Sequence, residues 1–189
     1  MTRSEPAADP QEARGEGPGT PEIRSLIREI PDFPVPGVLF RDITPLLHDP
    51  AAMRAVVRRM ADHYRDQPLG AVAGIESRGF LFAVPLALAL DLPFVPLRKP
   101  GKLPARVRRV DFELEYGQAA LEVHEDAVRP GDRLLVVDDL LATGGTSAAA
   151  ARLIGELGGE VAGFCYLVEL SELRGRRRLD APVFSLLQL

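Results

Sequence analysis

Leu134-Leu135-Val136-Val137-Asp138-Asp139-Leu140-Leu141-Ala142-Thr143-Gly144-Gly145-Thr146 is the stretch that decides the fold. Its opening aliphatic run, Leu134 to Val137, suits a strand covered on both faces, as in a buried parallel sheet. Two carboxylates follow, then a Thr-Gly-Gly-Thr turn, and Ser147 to Leu157 reads as a helix stopped by Gly158-Gly159. Ligands of open α/β sheets bind beyond the carboxyl ends of the strands. Glycines let backbone N–H groups approach a phosphate closely, and the helix N-terminus behind them favours negative charge. Carboxylates beside a phosphate make sense if they accept hydrogen bonds from a sugar diol or hold a cation. A phosphate at one end and a diol at the other describe a ribose 5-phosphate. Gly-Gly alone is weak, since Asp138 capping a tight turn would explain it. The string also lacks the Gly-Lys-Ser/Thr ending of a nucleoside-triphosphate loop and the spacing of a dinucleotide fingerprint.

Outward from this stretch the pattern repeats. Ala71 to Ile75, Phe94 to Leu97 and Val161 to Val168 read as further strands, and Gly79 to Leu90 as a buried core helix kinked by Pro85. Asp49-Pro50 starts a helix whose apolar face is Met53, Val56, Val57, Met60 and Tyr64. Thr20-Pro21 starts another, with Thr20 as cap, expected to end near Pro31. Strands alternating with helices predict an α/β fold built on a right-handed parallel sheet. Met1 to Gly19, rich in Pro, Gly, Ala and Glu without an aromatic residue, reads as a disordered tail before a single domain, residues 20–189.

Composition narrows the function. A formal net charge of −4, from 23 basic and 27 acidic residues, gives no overall positive surplus for nucleic acid. No stretch reaches the roughly 20 apolar residues of a membrane span. One cysteine, Cys165, excludes an internal disulfide and suits the cytoplasm. His48, His63 and His124 show no metal-ligand spacing, Cys165 reads as core, and Arg174 to Arg178 as a solvated turn.

Val136 to Thr146 resembles the phosphoribosyl pyrophosphate signature of the type I phosphoribosyltransferases. Four more stretches resemble the branch of that family that uses adenine: Pro31-Asp32-Phe33-Pro34 with Pro36 to Ile43; Glu76-Ser77-Arg78-Gly79-Phe80; Arg98-Lys99 with Gly101-Lys102-Leu103-Pro104; and Leu114-Glu115-Tyr116-Gly117. The resemblance spans nearly everything after the tail. It implies a central, mainly parallel sheet flanked by helices, with a small N-terminal hood and a flexible lid loop over Lys99 to Tyr116. It implies that Ala142, Thr143, Gly144, Gly145 and Thr146 cradle the 5-phosphate, with Asp138 and Asp139 on the ribose hydroxyls. Glu76, Ser77, Arg78 and Gly79 would form the pyrophosphate loop, joined by Arg98 and Lys102. Leu39, Phe40 and Arg41 would hold the base, and Glu115, beside Tyr116, would be the catalytic carboxylate, with Arg78 and Lys102 assisting.

The implied reaction joins adenine to phosphoribosyl pyrophosphate, giving AMP and pyrophosphate. Mg²⁺ would enter bound to the substrate rather than to protein ligands, and the implied assembly is a homodimer, with no nucleic acid or membrane partner. Read by themselves, Glu76 to Gly79 could equally be a Ser-capped helix with a surface arginine, and Leu39 and Phe40 could be core. Another purine base, or a phosphoribosyl-pyrophosphate-sensing regulator, stays as the alternative. The lid departs from the family pattern: Ala105 to Arg109 is more basic, and Phe112 stands where tyrosine is expected.

Overall fold

A computed structural model of the chain describes residues 19–114 and 117–189. The expected tail, apart from Gly19, and both Glu115 and Tyr116 lie outside the described residues. Two compact units divide the chain, Met1–Ala55 and Val56–Leu189.

In the first unit, α1 (Thr20–Ser25) stops short of the end expected near Pro31, and Gly19 rather than Thr20 is its cap. The helix stops because the next segment joins a ladder instead: β1 (Arg28–Ile30) pairs antiparallel with β2 (Phe40–Asp42), and Ile30 faces Phe40. Asp42 fastens this ribbon to α2 (Thr44–Leu47). Its carboxylate accepts bonds from the Thr44 amide at 2.9 Å, the Thr44 hydroxyl at 2.8 Å and Arg28 Nε at 3.0 Å. These donors, the Thr44 amide foremost, hold the Asp42 carboxyl down at about 2. The helix α3 (Pro50–Tyr64) begins where Asp49-Pro50 predicts, with Asp49 Oδ1 accepting from the amides of Ala51 and Ala52.

The second unit is built on five parallel strands in the order β4 (Phe94–Leu97), β3 (Ala71–Ile75), β7 (Arg133–Leu141), β8 (Glu160–Glu169) and β9 (Val183–Gln188). Every residue of β3 is buried, as expected of a strand covered on both faces. Chain reversals are made by α4 (Phe80–Leu90) between β3 and β4, and by α5 (Gly145–Glu156) between β7 and β8. The last turn of α3 joins this core through Tyr64, whose hydroxyl donates to the Phe164 carbonyl at 2.9 Å. No helix among the described residues is long and apolar enough to cross a membrane.

Four expectations need correction. The acidic pair does not follow its strand: β7 continues through Asp138 and Asp139 to Leu141, which still pairs with Glu169 of β8, and α5 starts at Gly145 rather than Ser147. Half of the described part of the expected lid, residues 99–114, is not loop, because β5 (Val107–Leu114) and β6 (Gly117–His124) form an antiparallel hairpin. Nor is α4 buried all round. Phe82, Ala83, Leu86 and Ala87 face inward, but Leu81, Val84 and Leu88 are exposed, Leu88 at 78%. Finally, the parallel sheet has a fifth strand, β9, beyond Val168, where the expected series ends.

Candidate active site

The chain leaves β3 toward one edge of the sheet and leaves β7 toward the other. Because parallel crossovers are right-handed, α4 and α5 cover opposite faces, and a crevice opens beyond the carboxyl ends of β3 and β7. The β3–β7 ladder ends at Gly74 and Val137, so from Asp138 onward β7 has lost the neighbour on that side. A cavity of about 500 Å³ lies at this point. Its described lining includes Glu76, Ser77 and Arg78 after β3, and Asp138, Asp139 and Thr146 on and after β7. Lys99, Pro100, Phe112 and the Gln118–Leu121 segment line it as well.

Arg78 reaches across the crevice, its Nε 2.9 Å from Asp139 Oδ2. Asp138 accepts the amide of Asp139 at 2.8 Å. Burial is the main force on both acids and pushes them above the usual carboxylate range, Asp138 strongly. The charge of Asp139 adds to that rise at Asp138, whereas the Arg78 guanidinium opposes it at Asp139. Gly79 lets the 76–79 loop sit this close to β7. A Cβ there would lie 2.5 Å from the Ile75 carbonyl, 2.8 Å from the Val137 carbonyl and 2.9 Å from Asp138 Oδ1.

Residues 142–146 link β7 to α5. Gly144 caps the helix at φ +82°, a left-handed conformation suited to glycine, and no side chain caps α5. First-turn amides of a helix have no intrahelical acceptor, so this end offers donors and a partial positive charge. Beneath it, the buried Tyr166 hydroxyl donates to Ser147 Oγ at 2.7 Å and fixes the first turn to β8. Of Ala142, Thr143, Gly144, Gly145 and Thr146, only Thr146 is among the described cavity-lining residues.

Three comparisons bear on this geometry. Residues 43–188 match the phosphoribosyl transferase domain model. The chain is 56% identical over 169 residues to the adenine phosphoribosyltransferase of Solibacter usitatus, covering 89% of this chain and 98% of that protein. It is 54% identical to that of Chloroflexus aurantiacus, covering 88% and 97%. The chain belongs to the adenine phosphoribosyltransferases. Among solved structures, that of adenine phosphoribosyltransferase from Thermoanaerobacter pseudethanolicus superimposes with a TM-score of 0.88 at 48% identity, covering 90% of this chain and all of the other. The Giardia lamblia enzyme, solved with 9-deazaadenine, gives 0.86 at 38% identity, covering 90% and 97%.

For an adenine phosphoribosyltransferase the basic residues are unequally placed. Arg98 is engaged: it bonds Glu76 through Nε at 3.0 Å and Nη2 at 3.4 Å, and its main chain exchanges two hydrogen bonds with Glu122. Its hydrogen bonds are the first cause holding the Glu76 carboxyl below the usual range. Glu76 also accepts the Lys99 amide at 2.8 Å, and the buried Glu122 accepts the Gly101 amide at 2.9 Å. Two carboxylates thus grip the chain as it leaves β4. Lys102 is exposed and is not among the described lining residues.

The base-holding candidates sit in the first unit. Leu39 is 44% exposed, which excludes the core reading for it, and Phe40 meets Phe33 edge to face at 5.0 Å. The Arg41 guanidinium pairs with Glu29. The sequence marks Lys99 and Phe112 only as parts of the lid and gives Gln118–Leu121 no site role. The readable signal was the alternation Val110, Phe112 between charged residues, which marks a strand with one inward face.

Proposed function

We propose that the chain transfers the 5-phosphoribosyl group of phosphoribosyl pyrophosphate to adenine, releasing AMP and pyrophosphate in purine salvage. The observation that carries this reading is one cavity at the sheet's switch point that joins Arg78, the acidic pair and the approach to an uncapped helix N-terminus. The 5-phosphate would sit on the amides of Ala142, Thr143, Gly144, Gly145 and Thr146. Asp138 and Asp139 would accept from the ribose hydroxyls, and the Glu76–Gly79 loop would hold the pyrophosphate.

In the reaction the bond from the anomeric carbon to the pyrophosphate oxygen breaks, and its electron pair leaves with the pyrophosphate. Adenine N9 supplies the pair for the new bond and gives up its proton. Arg78, with Lys99 and Lys102 as further cations, stabilises the departing charge where it develops. Arg98, tied to Glu76, holds that loop in place. Leu39 and Arg41 would read the base edge through their main chains, a role compatible with an Arg41 side chain already engaged by Glu29, and Phe40 would stack on the base. Glu115 would take up the purine proton. Glu115→Ala is expected to lower kcat far more than it raises either KM, and an unchanged kcat would remove Glu115 from the chemistry.

Mg²⁺ would enter on the pyrophosphate and ribose hydroxyls of the substrate, with Asp138 and Asp139 as the nearest acids, and would supply charge neutralisation on the pyrophosphate. Leu81, Val84 and Leu88, spaced along one face of α4, support a homodimer in which that face is covered. Sedimentation equilibrium should give twice the chain mass, and a monomer would reject it. A single buried cysteine suits a cytoplasmic location, which cell fractionation followed by activity assay checks.

The deciding assay offers adenine, hypoxanthine and guanine in turn to the purified protein with phosphoribosyl pyrophosphate, with and without magnesium. Magnesium-dependent AMP formation from adenine alone is expected. Product from the oxo-purines only, or from none, would overturn the assignment.

A further inference from the structure

The arginine-rich run Arg174 to Arg178 is a turn with its four arginines exposed, as the sequence predicts, but the glycine within it, Gly175, is buried. It forms the second of two short 3₁₀ turns, Ser171–Leu173 and Gly175–Arg178, joined by Arg174 at φ +53°. Gly175 is buried directly behind the 142–144 segment. A Cβ on Gly175 would stand 2.1 Å from the Ala142 carbonyl and 3.0 Å from the Gly144 amide nitrogen, and one on Gly144 would stand 2.5 Å from the Gly175 carbonyl. Two backbones meet here with no side chain between them.

The turn is itself anchored. Arg176 forks onto the buried Glu169, Nε to Oε1 at 2.8 Å and Nη2 to Oε2 at 2.5 Å, and Ser185 donates to the same carboxylate at 2.8 Å. Glu169 lies opposite Leu141, the last residue of β7 before the loop, and the Leu170 amide bonds the Leu141 carbonyl at 2.9 Å.

We propose that Gly175, held by the Arg176–Glu169 pair, is a positioning element that sets the curvature of the 142–146 loop and thereby its affinity for the sugar phosphate. This rests on the reading of that loop as the 5-phosphate cradle. A bidentate guanidinium–carboxylate pair fixes direction as well as distance, so the turn presents one rigid wall. Without it the loop can relax backward, and its amides no longer converge. A displacement of about 1 Å in such a site can cost on the order of 100-fold.

The test uses Gly175→Ala, Arg176→Met and, as a control, Gly155→Ala, where a Cβ meets nothing within 4 Å. Ribose 5-phosphate binding is measured by calorimetry, and KM for both substrates by steady-state kinetics. Both turn variants should weaken ribose 5-phosphate and raise KM for phosphoribosyl pyrophosphate by about tenfold or more, with KM for adenine within about twofold and the control like the parent chain. Arg176→Met introduces no clash, so it stays informative if Gly175→Ala does not fold. A folded Arg176→Met that binds ribose 5-phosphate like the parent chain overturns the proposal, even if it melts earlier. A parent chain that binds no ribose 5-phosphate would instead refute the phosphate-cradle reading.

Discussion

Arg78→Ala is expected to lower kcat/KM for phosphoribosyl pyrophosphate by roughly 100- to 1000-fold, the effect of losing about 2.7–4 kcal/mol from one preorganised donor in a site where charge develops. The guanidinium stands between the loop after β3 and Asp139, at 2.9 Å from the latter. Its removal takes away the cation proposed for the leaving group and also the charge that opposes the upward shift of Asp139. Asp139 is then expected to hold its proton to higher pH. The residual activity should therefore rise with pH over a range displaced upward from that of the parent chain. The stability cost should be small, because the acid can neutralise rather than remain a buried charge without a counterion. Arg78→Lys should recover only part of the rate, since an ammonium gives a point charge in place of a planar fork. Steady-state kinetics from pH 5 to 9 measures both variants beside the parent chain. A kcat/KM for Arg78→Ala within about threefold of the parent would exclude Arg78 from leaving-group stabilisation.

Gly79→Ala should be the more damaging change per atom added. Its backbone angles, φ −57° and ψ −32°, suit alanine, so the penalty is one of space. The new methyl would meet two carbonyl oxygens and the Asp138 carboxylate, all closer than 3.0 Å. None of these is the free end of a flexible chain, so either α4 moves off the sheet or the acidic pair is displaced. Overpacking of this kind costs about 1–3 kcal/mol, which corresponds to a Tm lower by roughly 3–10 °C for a chain of this length. The accompanying loss of activity should exceed 100-fold, by the same sensitivity to misplacement of about 1 Å. Gly70→Ala provides the contrast, since its Cβ would meet nothing nearer than 3.5 Å. Thermal melts and initial rates on the pair decide the matter: equal behaviour would mean that the close approach at Gly79 is dispensable.

The parallel core was legible because its strands are short apolar runs separated by helical periods, and β3 and β4 fall on the residues that this pattern predicts. Other elements hid for physical reasons. Three-residue strands such as β1 and β2 carry no periodicity. In β5 the charges of Arg109 and Asp111 looked like loop, but they form the solvent face of a hairpin and pair with each other at 2.6 Å, while Val110 is buried beneath them. An all-apolar segment such as α4 cannot say which of its faces is covered.

At the site, the strand-end acids and the glycine turn were readable from local chemistry. The partners of Arg98 and Arg176 were not: Glu76 lies on another strand's exit 22 residues before Arg98, and Glu169 meets Arg176 only because the chain turns back between them. Residue type announced the cations, but only the fold shows which of them already has a partner.

Cys165 is fully buried in β8 between Val137 and Phe184, and burial pushes its thiol well above the ordinary range. As the sole cysteine of the chain, it leaves the folded surface chemically silent toward maleimides and nitroxide reagents. A cysteine introduced at an exposed position such as Arg108 would then be the one reactive handle. Labels placed there would report on the β5–β6 hairpin during turnover without first stripping the native chain of its own sulfur.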